Sequence, residues 1–228
     1  MSKPIWVGFT SVFLLFATVI FLPPPEGAEE NRVLGVVQKM DAAFNAIEDY
    51  TCEVEQVFYK EGEDNQHFRF KFYFKKEKKI RVDFSSPYPA LTIFYKEGEK
   101  EATVVPLRFA PGLRFRYAID DPIIHTPTGQ WINQTDMGYF IKFLFNNVEK
   151  VKQEDSEFYE DKDEIRFWLR ALDYIRGKDL EKYRISISKQ NWLPIRIERY
   201  RLEGKPLEVS MIRNYKINAH LSDKLFIP

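Results

Sequence analysis

Three histidines, one cysteine and a few closely spaced carboxylates are the residues of this chain that could do bond chemistry. His67, His125 and His220 are scattered, and no two stand at the three- or four-residue spacing that puts two metal ligands on one helix face. Cys52 alternates with apolar neighbours, which fits a small core residue rather than a nucleophile. Asp120-Asp121 runs into Pro122 and reads as a turn, not as a general acid–base pair. Asp161, Asp163 and Glu164 form a solvated charge run. A Gly-rich phosphate loop and a Gly-x-Ser-x-Gly elbow are both absent from the sequence. The expectation is no catalytic residue, no metal and no cofactor. A small-molecule enzyme stays open as an alternative, because catalytic groups need not be contiguous. Its mark would be a cavity into which two or more polar groups point.

The bulk composition narrows the classes further. Lys+Arg and Asp+Glu number 34 each in 228 residues, so the net charge is zero. A nucleic-acid binder needs a basic surplus or stripe, so no nucleic-acid partner is expected. One cysteine excludes a disulfide framework. The chain carries 20 Phe and 12 Tyr, and their arrangement holds the functional information. Phe68, Phe70, Phe72 and Phe74 alternate with His67, Arg69, Lys71, Tyr73 and Lys75, the mark of a half-buried antiparallel strand. The same alternation places Ile80 with Val82, Ile93 with Tyr95, Ile165 with Phe167, and Ile195 with Ile197 on inward faces. These twelve residues are the candidate lining of an apolar cavity.

The amino terminus reads as an address. Lys3 precedes an uncharged run from Ile5 to Leu22, closed by Pro23-Pro24-Pro25. The run has the length of a membrane-crossing helix, roughly 17–25 residues. Residues 1–28 are therefore read as a signal peptide or a membrane anchor, with both outcomes open. In either case residues 29–228 are expected outside the cytoplasm as one domain. The expected location is the periplasm, free or tethered to the inner membrane.

The elements that must position the apolar residues follow from periodicity. Val33, Val36, Val37, Met40, Phe44 and Ile47 recur at steps of three and four, so Glu29 to Ile47 is a helix. Strands are expected over 49–60, 66–75, 80–84, 91–95, 102–107 and 114–119, and again over 164–170, 183–189, 192–202 and 207–218. Between the two sets, Asp136 caps a short helix whose Phe140, Ile141 and Leu144 share a face. That helix is the candidate lid. Residues 156–162 read as a polar turn.

The fold class is mainly β (α+β): a curved antiparallel half-barrel of about ten to eleven strands with helices capping its concave apolar face. Ten strands at about 4.8 Å spacing would make a flat sheet nearly 50 Å wide. A helix is only about 10–12 Å across. Two helices cannot shield such a width, so the sheet must curl around them or fold into a sandwich. Curling encloses apolar space fit for apolar ligands. A sandwich makes the same residues plain core, and then a membrane-tethered interaction or sensor module is the alternative.

The run Phe72-Tyr73-Phe74-Lys75-Lys76-Glu77-Lys78-Lys79-Ile80-Arg81-Val82-Asp83-Phe84, with Pro87 after it, resembles the LolA/LolB lipoprotein-carrier superfamily. Tyr95 to Lys100, Val105-Pro106, the Trp192-Leu193-Pro194-Ile195-Arg196-Ile197 strand and Asn214 to Asn218 followed by Leu221 and Phe226 resemble later segments of that family. The similarity spans Arg32 to Pro228 and is weakest from Ala110 to Lys162. The resemblance implies a half-open barrel lidded by helices around an apolar cavity. It implies acyl chains of lipoproteins, or other lipids, as partners, carried for sorting to the outer membrane between an inner-membrane donor and an outer-membrane acceptor. In the family an Arg-Pro turn latches the lid. Here Lys76-Glu77 stands there, so Lys76 is the latch counterpart, and it lacks the planar multi-donor fork of Arg.

Overall fold

The computed structural model describes residues 28–148 and 158–228. The apolar run 5–22, and with it the signal-or-anchor reading, lies outside the described residues. Among the described residues no helix is long and apolar enough to cross a membrane.

Among the described residues one antiparallel sheet of eleven strands makes up most of the fold. In chain order, β1 (Asp49–Phe58), β2 (Gln66–Lys75), β3 (Lys79–Ser86), β4 (Thr92–Lys96), β5 (Glu101–Val105) and β6 (Phe115–Ala118) form one arm. The other arm holds β7 (Phe158–Glu160), β8 (Glu164–Leu172), β9 (Leu180–Ser188), β10 (Pro194–Arg201) and β11 (Pro206–Ile217). The spatial order is β6-β5-β4-β3-β2-β1-β11-β10-β9-β8-β7, so the first and last strands pair at the centre and the arms spread outward from them. The sheet does not close: β6 and β7 are its edges. It is a curved half-barrel. The strand Phe158–Glu160 corrects the turn expected over 156–162. Its Phe158 pairs with Phe167 of β8, whose apolar alternation supplies the template for one more short edge strand.

This order determines what covers the concave face. The chain must travel from edge strand β6 to edge strand β7, and the described residues between them carry two short 3-10 turns, Pro122–Ile124 and Ile132–Gln134, and helix α2 (Met137–Val148). Helix α1 (Ala28–Asn45) enters before β1 and packs beside α2. Its Val33, Val36, Val37 and Met40 are buried, as the three–four spacing requires. Phe44 lies 5.6 Å from Phe74, and the Lys39 ammonium sits 4.5 Å above the Trp192 ring. Gly138 stands where α2 approaches α1: a Cβ there would come within 2.6 Å of the Phe44 ring.

The outer face is polar and paired. Arg81 chelates Asp83 at 2.9 and 3.0 Å, donates to the Leu225 carbonyl at 3.1 Å, and lies 5.4 Å from the Tyr73 and Phe94 rings. Lys75 and Lys79 hold Asp223, so the carboxyl-terminal segment is pinned across β2 and β3.

Candidate functional site

The helices cover one end of the concave face and leave the other hollow. At the covered end Phe74, Ile80, Tyr95, Ile165 and Phe167 are buried in continuous packing. Phe74 stacks on Tyr50 at 5.1 Å. At the other end a cavity of about 180 Å³ opens between the sheet and the β6–β7 connection. Phe68, Phe70 and Phe72 of β2, Val82 of β3, Ile93 of β4 and Ile197 of β10 form its sheet wall. Cys52, Val54, Gln56 and Phe58 of β1 complete that wall, with Ser210 and Ile212 of β11. Ile123, Ile124, Pro127, Ile132, Met137 and Phe140 make the opposite wall.

The twelve expected lining residues therefore divide. Phe68, Phe70, Phe72, Val82, Ile93 and Ile197 face the cavity. Phe74, Ile80, Tyr95, Ile165 and Phe167 are buried and do not line this cavity. Ile195 is a different correction. A register shift lies between Pro194 and Arg196, where Ser186 faces Arg196 and Ile187 faces Pro194. The extra residue is a bulge, and a one-residue slip reverses side-chain facing. Ile195 consequently lies with Arg166, Ser186 and Arg196 in a groove on the outer face. Of the candidate lid residues, Phe140 meets the cavity, while Ile141 and Leu144 are buried in the core behind it.

The contact expected of Lys76 also moves. Lys76 Nζ donates to the Asn45 carbonyl at 2.9 Å and to Glu48 at 2.8 Å, so it ties down the end of α1. The basic contact to α2 comes from Lys78, two residues further along the same turn. Its Nζ lies 3.2 Å from Asp136 Oδ2 and donates to the Asn133 carbonyl at 3.3 Å. Glu77 and Lys78 both have positive φ, 65° and 43°, and this left-handed pair turns the Lys78 side chain toward the helix. Asp136 Oδ1 accepts from Tyr139 N at 3.1 Å, the expected helix cap. Tyr50 Oη accepts from Met137 N at 3.3 Å. The first turn of α2 is thus held by one strand tyrosine and one turn lysine.

Polar side chains do reach the cavity wall, and protein partners take up several of their groups, while among the described residues the buried Asp136 Oδ2 accepts no hydrogen bond and has only the Lys78 ammonium as a neighbouring charge. Gln56 Nε2 donates to Ser210 at 3.0 Å and to Glu208 at 3.3 Å. Gln130 Nε2 donates to the Gln134 carbonyl at 2.8 Å, and Tyr174 Oη lies 3.4 Å from Gln130 Oε1. Gln134 donates to Tyr139 Oη and accepts from Trp131 N. His125 contacts the Ile119 carbonyl at 3.2 Å and stacks on Trp131. Among the described residues no cluster of His, Cys, Asp and Glu has the geometry to hold a metal. An apolar guest would meet many bare rings and few free polar groups.

Behind this wall lies a buried ionic network that the periodicity did not disclose. Arg199 chelates Glu181 with Nε and Nη2, both at 3.0 Å, and Glu208 with Nη1 at 2.9 Å. Tyr183 Oη donates to Glu181 at 2.9 Å, Thr128 Oγ1 to Glu208 at 3.3 Å, and the guanidinium lies 5.0 Å from the Tyr174 ring. Burial above all pushes the Tyr174 and Tyr183 phenols far up, so both remain hydroxyls. Tyr174 is presented by a turn built on Asp173, whose carboxylate accepts from the backbone N–H groups of Ile175, Arg176, Lys178 and Asp179. A charge placed among Ile, Phe and Tyr on the inward face of β9–β11 is the only signal in the sequence that could have marked this cluster.

No protein-family model matches the chain, and no curated protein matches it. Solved structures do. A LolA superfamily protein from Nitrosomonas europaea is 14% identical, covering 86% of this chain and 97% of that chain, with a TM-score of 0.42. Lipoprotein LppX from Mycobacterium tuberculosis is 8% identical over 84% of this chain and 98% of that chain, with a TM-score of 0.49. An uncharacterized conserved protein from Thermus thermophilus is 13% identical over 88% of this chain and 94% of that chain, with a TM-score of 0.48. The chain is similar over most of its length, at low identity, to solved structures that include a LolA superfamily protein.

Proposed function

We propose that this protein binds an acyl chain of a lipid or lipoprotein in the cavity between β1–β4 and the β6–β7 connection, and carries it outside the cytoplasm. One observation supports the reading most: an apolar cavity, open to one side, whose rim glutamines Gln56 and Gln130 hydrogen-bond within the protein. Each buried methylene of an apolar chain contributes roughly 0.8 kcal/mol. The volume of about 180 Å³ sets the scale. A cavity of about 150 Å³ admits a benzene-sized guest. With α2 in this position the site takes a segment of one chain, and further chains require α2 and residues 119–135 to move outward. Residues 29–228 are read as the working domain, residues 1–28 as its export signal or anchor, and the periplasm as its location. Delivery toward the outer membrane, with a donor and an acceptor protein, is the finer form of the proposal.

Mass spectrometry of the protein purified without harsh detergent tests this, with co-purified acylated species as the expected result. Phe70→Asp should abolish binding of a fluorescent fatty acid. A folded Phe70→Asp protein with undiminished binding would remove Phe70 from the site, and a protein that neither co-purifies with nor takes up any acyl compound would remove the function.

A further inference from the structure

We propose that the loop from β5 to β6 docks the cavity mouth onto an anionic phospholipid surface. Three independent features converge there. The first is charge: from Ala102 through Ile119 the sequence has Arg108, Arg114 and Arg116 and no Asp or Glu, in a chain whose net charge is zero. The second is exposed grease: Phe109 is 79% exposed, and Leu113 and Phe115 are each 46% exposed. Of the ten large hydrophobic residues exposed among the described residues, five lie between Tyr88 and Ile123. The third is continuity with the mouth. Arg108 N donates to the Ala90 carbonyl at 3.0 Å, and its guanidinium donates to the carbonyls of Phe84 at 3.1 Å and Leu91 at 3.5 Å. Phe84, Tyr88, Leu91 and Ile123 all line the cavity, and Tyr88 and Ile123 are themselves exposed.

Apolar side chains flanked by arginines fit a lipid interface: the rings enter the acyl boundary while the guanidinium groups stay at the headgroups. A protein groove would satisfy the apolar residues but has no general need of the uninterrupted positive charge. Arg116 has an exposed carboxylate, Glu101, at 3.9 Å, an ion pair that solvent screens. Arg114 Nη1 rests on the Pro228 carbonyl at 3.3 Å. Docking here would set the cavity mouth against the bilayer, so that an acyl chain need not cross water. This step goes beyond the acyl-binding reading, which concerns the cavity walls alone.

The test uses the full chain carrying an environment-sensitive fluorophore at Leu113→Cys, and a control labelled at Gln190→Cys in the β9–β10 turn, at the other end of the strands. The native Cys52 is buried and will not compete for label. With vesicles of phosphatidylcholine and phosphatidylglycerol, the probe at 113 should brighten several-fold and be quenched by lipids bearing an acyl-chain quencher. The probe at 190 should do neither. Each basic residue near an anionic surface is worth roughly fivefold in partitioning. Adding R114Q/R116Q should therefore raise the lipid concentration for half-maximal signal by roughly tenfold or more at low salt. A silent probe at 113, equal signals at 113 and 190, or the same signal on pure phosphatidylcholine would overturn the proposal. Filling the cavity with Ile197→Trp should leave the signal at 113 intact, which separates failure of docking from failure of acyl binding.

Discussion

The Lys78 ammonium lies 3.2 Å from the Asp136 carboxylate, joining the β2–β3 turn to the first turn of α2. Asp136 is 3% exposed and its other oxygen caps the helix, so one residue both starts α2 and fastens it to the sheet. Removing Lys78 leaves a buried charge without its counter-ion. Because Lys78 keeps some exposure, Lys78→Met should cost about 1–3 kcal/mol, at or below the low end for a fully buried pair. Urea unfolding checks the stability. Exchange of a bound fluorescent fatty acid should also quicken, because α2 is the wall that must yield. Unchanged exchange with lowered stability would make the pair structural only.

Cavity filling separates the walls from the core. Ile197→Trp places a larger side chain in open space, whereas the same change in close packing costs about 1–3 kcal/mol through overpacking. Fatty-acid binding should fall at least tenfold with the melting temperature little changed. The companion Ile185→Trp, next to it across the strand pair but fully buried, should instead lower the melting temperature by several degrees. Binding titration and thermal melts on both variants decide it.

The Glu181–Arg199–Glu208 network should be costly to break and cheap to replace. All three side chains are less than a tenth exposed. Arg199→Met leaves two carboxylates buried together and should cost about 3–5 kcal/mol. Replacing all three residues by apolar ones of similar volume should recover most of that loss. Chemical denaturation of the single and triple variants is the measurement, and a triple variant weaker than the single one would contradict this account.

Acid should weaken the fold through two carboxylates. Burial pushes the Glu198 carboxyl up, but hydrogen bonds from Arg184, Tyr200 and Arg196 outweigh it and hold the group below its ordinary 4.5. Burial likewise lifts Asp173, and the four backbone N–H groups of its turn bring it below 3.8. A carboxyl depressed in the folded state contributes fully above its unfolded pKa and loses that contribution as pH falls through the folded value. Stability should therefore be level above about pH 5 from this source and decline below about 4.5. Glu198→Gln and Asp173→Asn should lower the plateau and flatten the acid limb in melts recorded across that range.

Much of the architecture could be read along the chain because the two periods are local. Alternation at step two placed β2 at Gln66–Lys75 and the three–four stripe placed α1, since each side chain's facing follows from its own backbone. The facing of Ile195 was not local: it depends on a bulge created by pairing with Ser186 on another strand. Nor could alternation distinguish Phe72, at the cavity, from Phe74, in the core. The two point the same way from one strand and differ only in what lies above them.

The sequence by itself determined a mainly β domain with one greasy sheet face and one long and one short helix to cover it, because alternating Phe and Ile must be buried on one side; it left a curled sheet and a sandwich both open. Only the tertiary structure decided where that cover ends. Strand order sends the β6–β7 connection across the open side of the half-barrel, and the helices fill the end that holds Phe74 and Phe167 while residues 122–135 only bridge the other. The hollow lies between the sheet and residues 123–140, a relation between distant segments that no local pattern records.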